Sequence, residues 1–130
     1  MKSLLPTDWP RPKGYSNGIA ATGRTIYTAG VVGWDEQEAF VADTLAGQFA
    51  QVLRNIVAIL AVDGAGPANL VRLTCYVTSI EDYRASLVEI GEAWKAIIGP
   101  HFPAMALVEV ARLVEPAALV EIEAIAVVPE

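Results

Sequence analysis

Residues 102–113 read FPAMALVEVARL, and residues 120–127 read VEIEAIAV. Both runs are rich in aliphatic residues, and Glu115-Pro116 between them marks a turn, so two strands are expected, Ala104 to Leu113 and Leu119 to Val128. Successive side chains of a strand alternate between faces. The even positions, Ala104, Ala106, Val108, Val110, Val120, Ile122, Ala124 and Ala126, are small and apolar, which suits a face covered by helices. The odd positions, Met105, Leu107, Glu109, Ala111, Leu119, Glu121, Glu123 and Ile125, mix carboxylates with large aliphatics. That mixture is too apolar for a solvated face and too acidic for a closed core. A subunit interface holding partly buried carboxylates accounts for both features. A plain exposed face with scattered aliphatics is the alternative.

Working outward, the preceding segments supply the helices that such a sheet needs. Leu45, Phe49, Val52, Leu53, Ile56, Ile59 and Leu60 recur at helical spacing, with Asp43 or Thr44 as cap and Gly64 and Gly66-Pro67 as the stop. Leu70 to Thr78 reads as a strand. Ser79 can cap a second helix whose stripe is Tyr83, Leu87, Ile90, Trp94 and Ile97, ended by Gly99-Pro100. Near the N-terminus, IAAT and TIYTAG flank Gly23-Arg24 and predict a hairpin, Ile19 to Thr22 and Thr25 to Gly30. VVGWDEQEAF then reads as a loop or a broken strand. The order is ββαβαββ, an α+β fold with two helices on one face of a mixed sheet. With no linker, repeat or low-complexity tract, residues 1–130 form one domain.

Composition narrows the function classes. The chain is 54% hydrophobic and 18% charged, apolar for a monomer, yet no uninterrupted apolar run is long enough to span a membrane. The N-terminus lacks the apolar core of a signal peptide. This surplus of apolar residues predicts an oligomer. A net charge of −6 argues against nucleic-acid binding, which runs on phosphate neutralisation. One cysteine, Cys75, excludes an internal disulfide and fits a reducing cytoplasm. With one histidine, His101, and one cysteine, no His/Cys zinc site can be assembled, and no cofactor is expected. Cys75 sits in the strand pattern VRLTCYV, where a buried, inert thiol is expected.

These segments, in this order, resemble the RidA/YjgF family of reactive-intermediate deaminases. KGYSNGI is similar to the family's GPYSQA, and TIYTAG to its LYVSGQ. LRNIVAILAVDGAG and VRLTCYVTSIEDY are similar to its first-helix end and third strand. The most specific match is FPAMALVEVARL…VEIEAIAV with PARSCVEVARL…IEIEAIAV. The resemblance covers nearly the whole chain. It implies a chorismate-mutase-like α+β fold and a homotrimer with clefts between subunits. It also implies hydrolysis of enamines and imines such as 2-aminoacrylate, with an arginine gripping the substrate carboxylate and a glutamate positioning water.

Carried over residue by residue, the glutamate is Glu121 and the site tyrosine is Tyr15. The arginine position holds Met105, the family's common cysteine is Leu107, and an asparagine of the second helix falls at Leu87. Met105 offers no donor, so efficient 2-aminoacrylate deamination through the usual grip is not expected. A larger, more apolar or uncharged ligand suits Met105 and Leu107. Trp34 is a candidate aromatic wall or a packing residue. Arg11 and Lys13 are candidate replacement cations, or simply solvated charges. His101 either faces the cleft or is structural. Two functions follow: a diverged hydrolase or deaminase of a small imine, enamine or related intermediate, or a noncatalytic trimer that binds a metabolite or partner in the same clefts.

Overall fold

The helical stripe beginning at Leu45 forms the longest helix of the computed structural model, which describes residues 1–130. In chain order the strands are β1 (Lys2–Leu4), β2 (Gly18–Ala20), β3 (Arg24–Tyr27), β4 (Val31–Val32), β5 (Leu70–Val77), β6 (Ala104–Glu109) and β7 (Val120–Val128). The helices are α1 (Leu45–Ala61), α2 (Ile80–Ala85) and α3 (Leu87–Ile97). Thr44 caps α1, its hydroxyl accepting from the Gly47 N–H. Gly64, at φ +74°, lets the Ala65 N–H turn back to the Leu60 carbonyl, so the freed end of the helix is satisfied. Leu45, Phe49, Val52, Leu53, Ile56 and Leu60 are buried as expected, whereas Ile59 lies at the margin of the stripe and is 43% exposed.

The predicted second helix is two. Ser79 caps α2 as expected, accepting from the Asp82 N–H. The chain then breaks at Ser86, whose hydroxyl donates to the Asp82 carbonyl at 2.7 Å. A serine that bonds its own upstream turn competes with helix continuation. The helical stripe resumes in α3 and buries Ile90 and Trp94.

The main sheet has five strands. β3 and β4 lie in succession along one edge of β7, with β5 on the other side of β7 and β6 beyond β5. Only the β5–β6 pair is parallel. The mixed α+β architecture is therefore as predicted, with β4 and the isolated Trp34–Phe40 bridge realising the broken strand. The predicted hairpin is not formed: β2 pairs with the unforeseen β1, and β3 with β7. Gly23, at φ +146°, lies so close to the Val128 carbonyl that any Cβ would collide with it. This contact commits the following strand to the edge of β7. β6 also stops at Glu109 rather than Leu113, because β5, its only neighbour in the sheet, ends at Val77.

Register decides which side chains share a face, and here the sequence expectation fails. The last two strands are not neighbours, since β5 runs between them. Cys75 pairs with Leu107 on one side and with Ile122 on the other. The odd positions of β6 therefore share the helix-covered face with the even positions of β7. Met105 and Leu107 pack against the core formed by Leu73, Cys75, Ile122, α1 and α3. Glu121, Glu123 and Ile125 lie on the opposite face with Thr74, Tyr76, Ala106 and Val108. Glu109 lies at the helix-side end, where its carboxylate accepts from the Ile80 N–H at the start of α2. The mixed face is real, but its aliphatic members are Val108 and Ile125.

Candidate functional site

Between α3, β6 and the N-terminal arm lies a cleft of about 970 Å³. Helical spacing brings Leu87, Ile90 and Trp94 of α3 to one wall, and strand alternation brings Met105 and Leu107 of β6 to the floor. Phe49 and Tyr83 close one end, their rings 6.3 Å apart. Burial pushes the Tyr83 phenol above its usual pKa, with the nearby Cys75 adding to the effect. Cys75 itself is fully buried, and burial raises its thiol to about 12, which leaves it unreactive.

The arm is clipped to the sheet just after Tyr15. The Ser16 N–H donates to the Pro103 carbonyl at 3.0 Å, and Ser16 forms a parallel bridge with Ala104. This fastening holds Lys13 and Tyr15 against the cleft. The other rim is equally fixed. Trp94 stacks on Phe102 with centroids 6.1 Å apart, and its indole N–H donates to the His101 carbonyl at 3.1 Å. The His101 Nε2 contacts the Leu70 carbonyl at 2.7 Å, so that nitrogen carries the hydrogen. His101 is thus a brace between strand and loop and does not line the cleft.

The structure accordingly brings Tyr15, Met105, Leu107, Leu87 and Lys13 to one cleft and leaves Glu121, Trp34 and Arg11 outside it. Glu121 is half-buried on the open sheet face, its carboxylate lying over Gly30, where a Cβ would strike it. It pairs in register with Val32 and Tyr76. Beside it, the Tyr76 hydroxyl donates to Glu123 at 2.8 Å, and this bond raises the Tyr76 pKa. Trp34 packs on Phe40 at 5.8 Å, and its carbonyl accepts from the Asn55 amide. Arg11 is exposed on the arm. Glu121 and Met105, expected on one face, are on opposite faces.

Sequence reasoning missed Lys95, Phe102, Phe49 and Tyr83 as cleft residues. Phe49 and Tyr83 follow the core stripes of their helices and carry no local sign of a cavity, and Lys95 is simply the neighbour of Trp94. Chemically, the cleft offers a broad apolar surface, two phenols and two ammonium groups. No carboxylate, thiol or imidazole lines it.

Comparison with known proteins agrees with this architecture. A family model described as Endoribonuclease L-PSP matches residues 9–128. A RutC family protein of Synechocystis sp. is 35% identical over 99% of this chain and 98% of its own. The 2-iminobutanoate/2-iminopropanoate deaminase of Salmonella typhimurium is 32% identical over 81% of this chain and 80% of its own. The Rid family protein YyfB from Yersinia pestis superposes with a TM-score of 0.84 at 32% identity, covering 98% of both chains. With the family model spanning almost every residue and relatives above 30% identity along the same length, the chain belongs to the RidA/YjgF family.

Proposed function

We propose that this protein is a homotrimeric, diverged imine or enamine hydrolase whose substrate is larger and more apolar than 2-aminoacrylate. The observation that carries this reading is the floor of the cleft. Met105 and Leu107, at the positions where the resemblance implies a carboxylate-gripping arginine and a cysteine, face an apolar cleft of about 970 Å³. That volume lies at the upper end for a small-molecule site, and a three-carbon acid would leave most of it to water. Tyr15 supplies a hydroxyl donor at the same cleft.

The proposed acid/base, Glu121, is on the other face of its own sheet. It acts in this scheme only if assembly carries it to a cleft of a neighbouring copy. The open face supports assembly: Tyr27 is 72% and Val108 is 46% exposed, and Ile125 lies among the carboxylates. Light scattering at micromolar concentration should give three times the chain mass, and a stable monomer would remove the route by which Glu121 reaches substrate. The partners in this reading are a small molecule and two further copies. The acidic net charge of −6 disfavours nucleic acid. No helix is long and apolar enough to cross a membrane. A cytoplasmic location fits the single reduced cysteine.

A noncatalytic metabolite-binding trimer is the second reading, favoured by the absence of a carboxylate or imidazole at the cleft of a single chain. Glu121→Gln separates the two. For a hydrolase, the variant stays trimeric and its turnover on a panel of imines and enamines falls by about 10²- to 10⁴-fold, the usual worth of a positioned acid or base. For a binder, the panel gives no turnover in either protein, and ligand affinity is unchanged. An intact variant trimer with undiminished turnover would sink the assignment of Glu121.

A further inference from the structure

The whole chain carries 15 Asp and Glu against nine Lys and Arg, yet the cleft inverts that balance. Lys13 and Lys95 line it, and no carboxylate of the same chain does. Neither lysine is paired within the chain, whose one ion pair is Arg24 with Asp63. They come from separate elements, Lys13 from the arm fastened through Ser16 and Lys95 from α3. Both are exposed, whereas the Phe49 and Trp94 rings and the Met105 and Leu107 side chains lie deeper. The site is therefore polarised, with positive charge at the rim and aromatic and aliphatic surface at the floor.

We infer that Lys13 and Lys95 select an amphipathic carboxylate, a ligand whose acid group sits at the rim and whose aromatic or branched apolar body fills the floor. This deepens the proposed function and rests on the cleft being the functional site. It reverses the orientation implied by an arginine at the floor. Met105 cannot hold an anion there, and a body with no polar group is what Met105, Leu107 and the Trp94–Phe102 stack accommodate. The lysines act as point charges that attract the anion without demanding one bidentate geometry.

The test uses 3-phenylpropanoate, its uncharged amide and acetate, titrated calorimetrically into the wild-type protein and into the Lys13→Gln/Lys95→Gln double variant. The expected result is that the aryl acid binds about tenfold tighter than the amide. That preference should shrink as salt is raised, and the double variant should bind acid and amide equally while keeping the wild-type affinity for the amide. Acetate should bind far more weakly than the aryl acid, because it leaves the floor uncovered. Both lysines are exposed, so circular dichroism should show the variant folded; if it is not, the single variants must each lose part of the preference. Equal affinity for acid and amide in the wild type, or a preference that survives loss of both lysines, would overturn the inference. So would failure of the aryl acid to bind at millimolar concentration. The two proposals fail separately: acid preference without turnover of any imine removes the hydrolase and leaves this site, whereas imine turnover with no acid preference does the reverse.

Discussion

Met105→Arg is the sharpest perturbation of the proposed function. Met105 sits in the parallel register opposite Leu73, whose side chain is fully buried, so the backbone at this position is held by the sheet and by the core beneath it. The side chain is half-buried and opens into the cleft. An arginine there can bury its aliphatic stem and keep its guanidinium in the cavity, where no carboxylate of its own chain is available to capture it. A hydrogen bond to a charged group contributes about 1.5–3 kcal/mol, or about 10- to 150-fold in affinity. Solvent access and imperfect geometry argue for the lower end, so kcat/KM for 2-aminoacrylate should rise by at least about tenfold. Repulsion from Lys13 and Lys95 and overpacking at the floor should cost about 1–2 kcal/mol of stability. At about 2.1 cal/mol/K of unfolding entropy per residue, that lowers Tm by about 4–7 °C. Ammonia release should be followed with 2-aminoacrylate and with a neutral enamine that lacks the carboxylate. The gain should be confined to the acid. A folded variant with unchanged kcat/KM, or one that gains equally on the neutral enamine, would refute the argument that a missing anion grip at the floor limits the natural protein on 2-aminoacrylate.

Two further predictions concern the scaffold. The Gln48 side chain is 1% exposed; its amide donates to the Ala42 and Ala117 carbonyls and its oxygen accepts from the Leu119 N–H at 2.7 Å. Gln48→Leu strands three backbone groups and should cost about 2–4 kcal/mol by urea denaturation, whereas Arg54→Ala on the exposed side of α1 should change stability by less than about 0.5 kcal/mol. Cys75 has a folded pKa raised from 9.0 to about 12, so the folded state holds its proton more tightly than the unfolded chain. Its contribution is fully present below pH 9 and declines by about 1.4 kcal/mol per pH unit up to pH 12. The stability difference between wild type and Cys75→Val should follow that slope, and a flat difference across the range would show that the thiol is not the group responsible.

The elements were legible wherever local chemistry alone specifies them. Thr44 and Ser79 are caps by composition, Gly64 is a stop by its backbone freedom, and the stripe of α1 needs no knowledge of what covers it. Two errors share one cause, which is that pairing is not local. The hairpin around Gly23-Arg24 has the right turn residue, but the edge of β7 is a longer partner for β3 than β2 is. The strand after Pro103 has β-forming sequence through Leu113, but lost its partner where β5 ended. The break at Ser86 has a different and local cause, a hydroxyl choosing its own backbone over continuation of the helix.

The site suffered from the same limitation in a more consequential way. Alternation within β6 and within β7 is legible in the sequence, and each strand has one apolar and one mixed face. What the sequence does not carry is the phase between them. In an antiparallel pair, partner positions sum to a constant: Tyr76 with Glu121 and Cys75 with Ile122 both give 197. The constant is odd, so parity flips on crossing from β5 to β7, and the parallel β5–β6 pair, with Cys75 opposite Leu107, preserves it. One change of parity moves Glu121 from beside Met105 to the far side of the sheet. The same step places Met105 and Leu107 over the core, where they become the floor of a cleft whose walls come from α3. An acid that helps react a ligand on that floor must therefore arrive from outside the chain's own cleft. The catalytic reading thus depends on quaternary structure, whereas binding of the ligand's apolar body depends only on residues that one chain supplies.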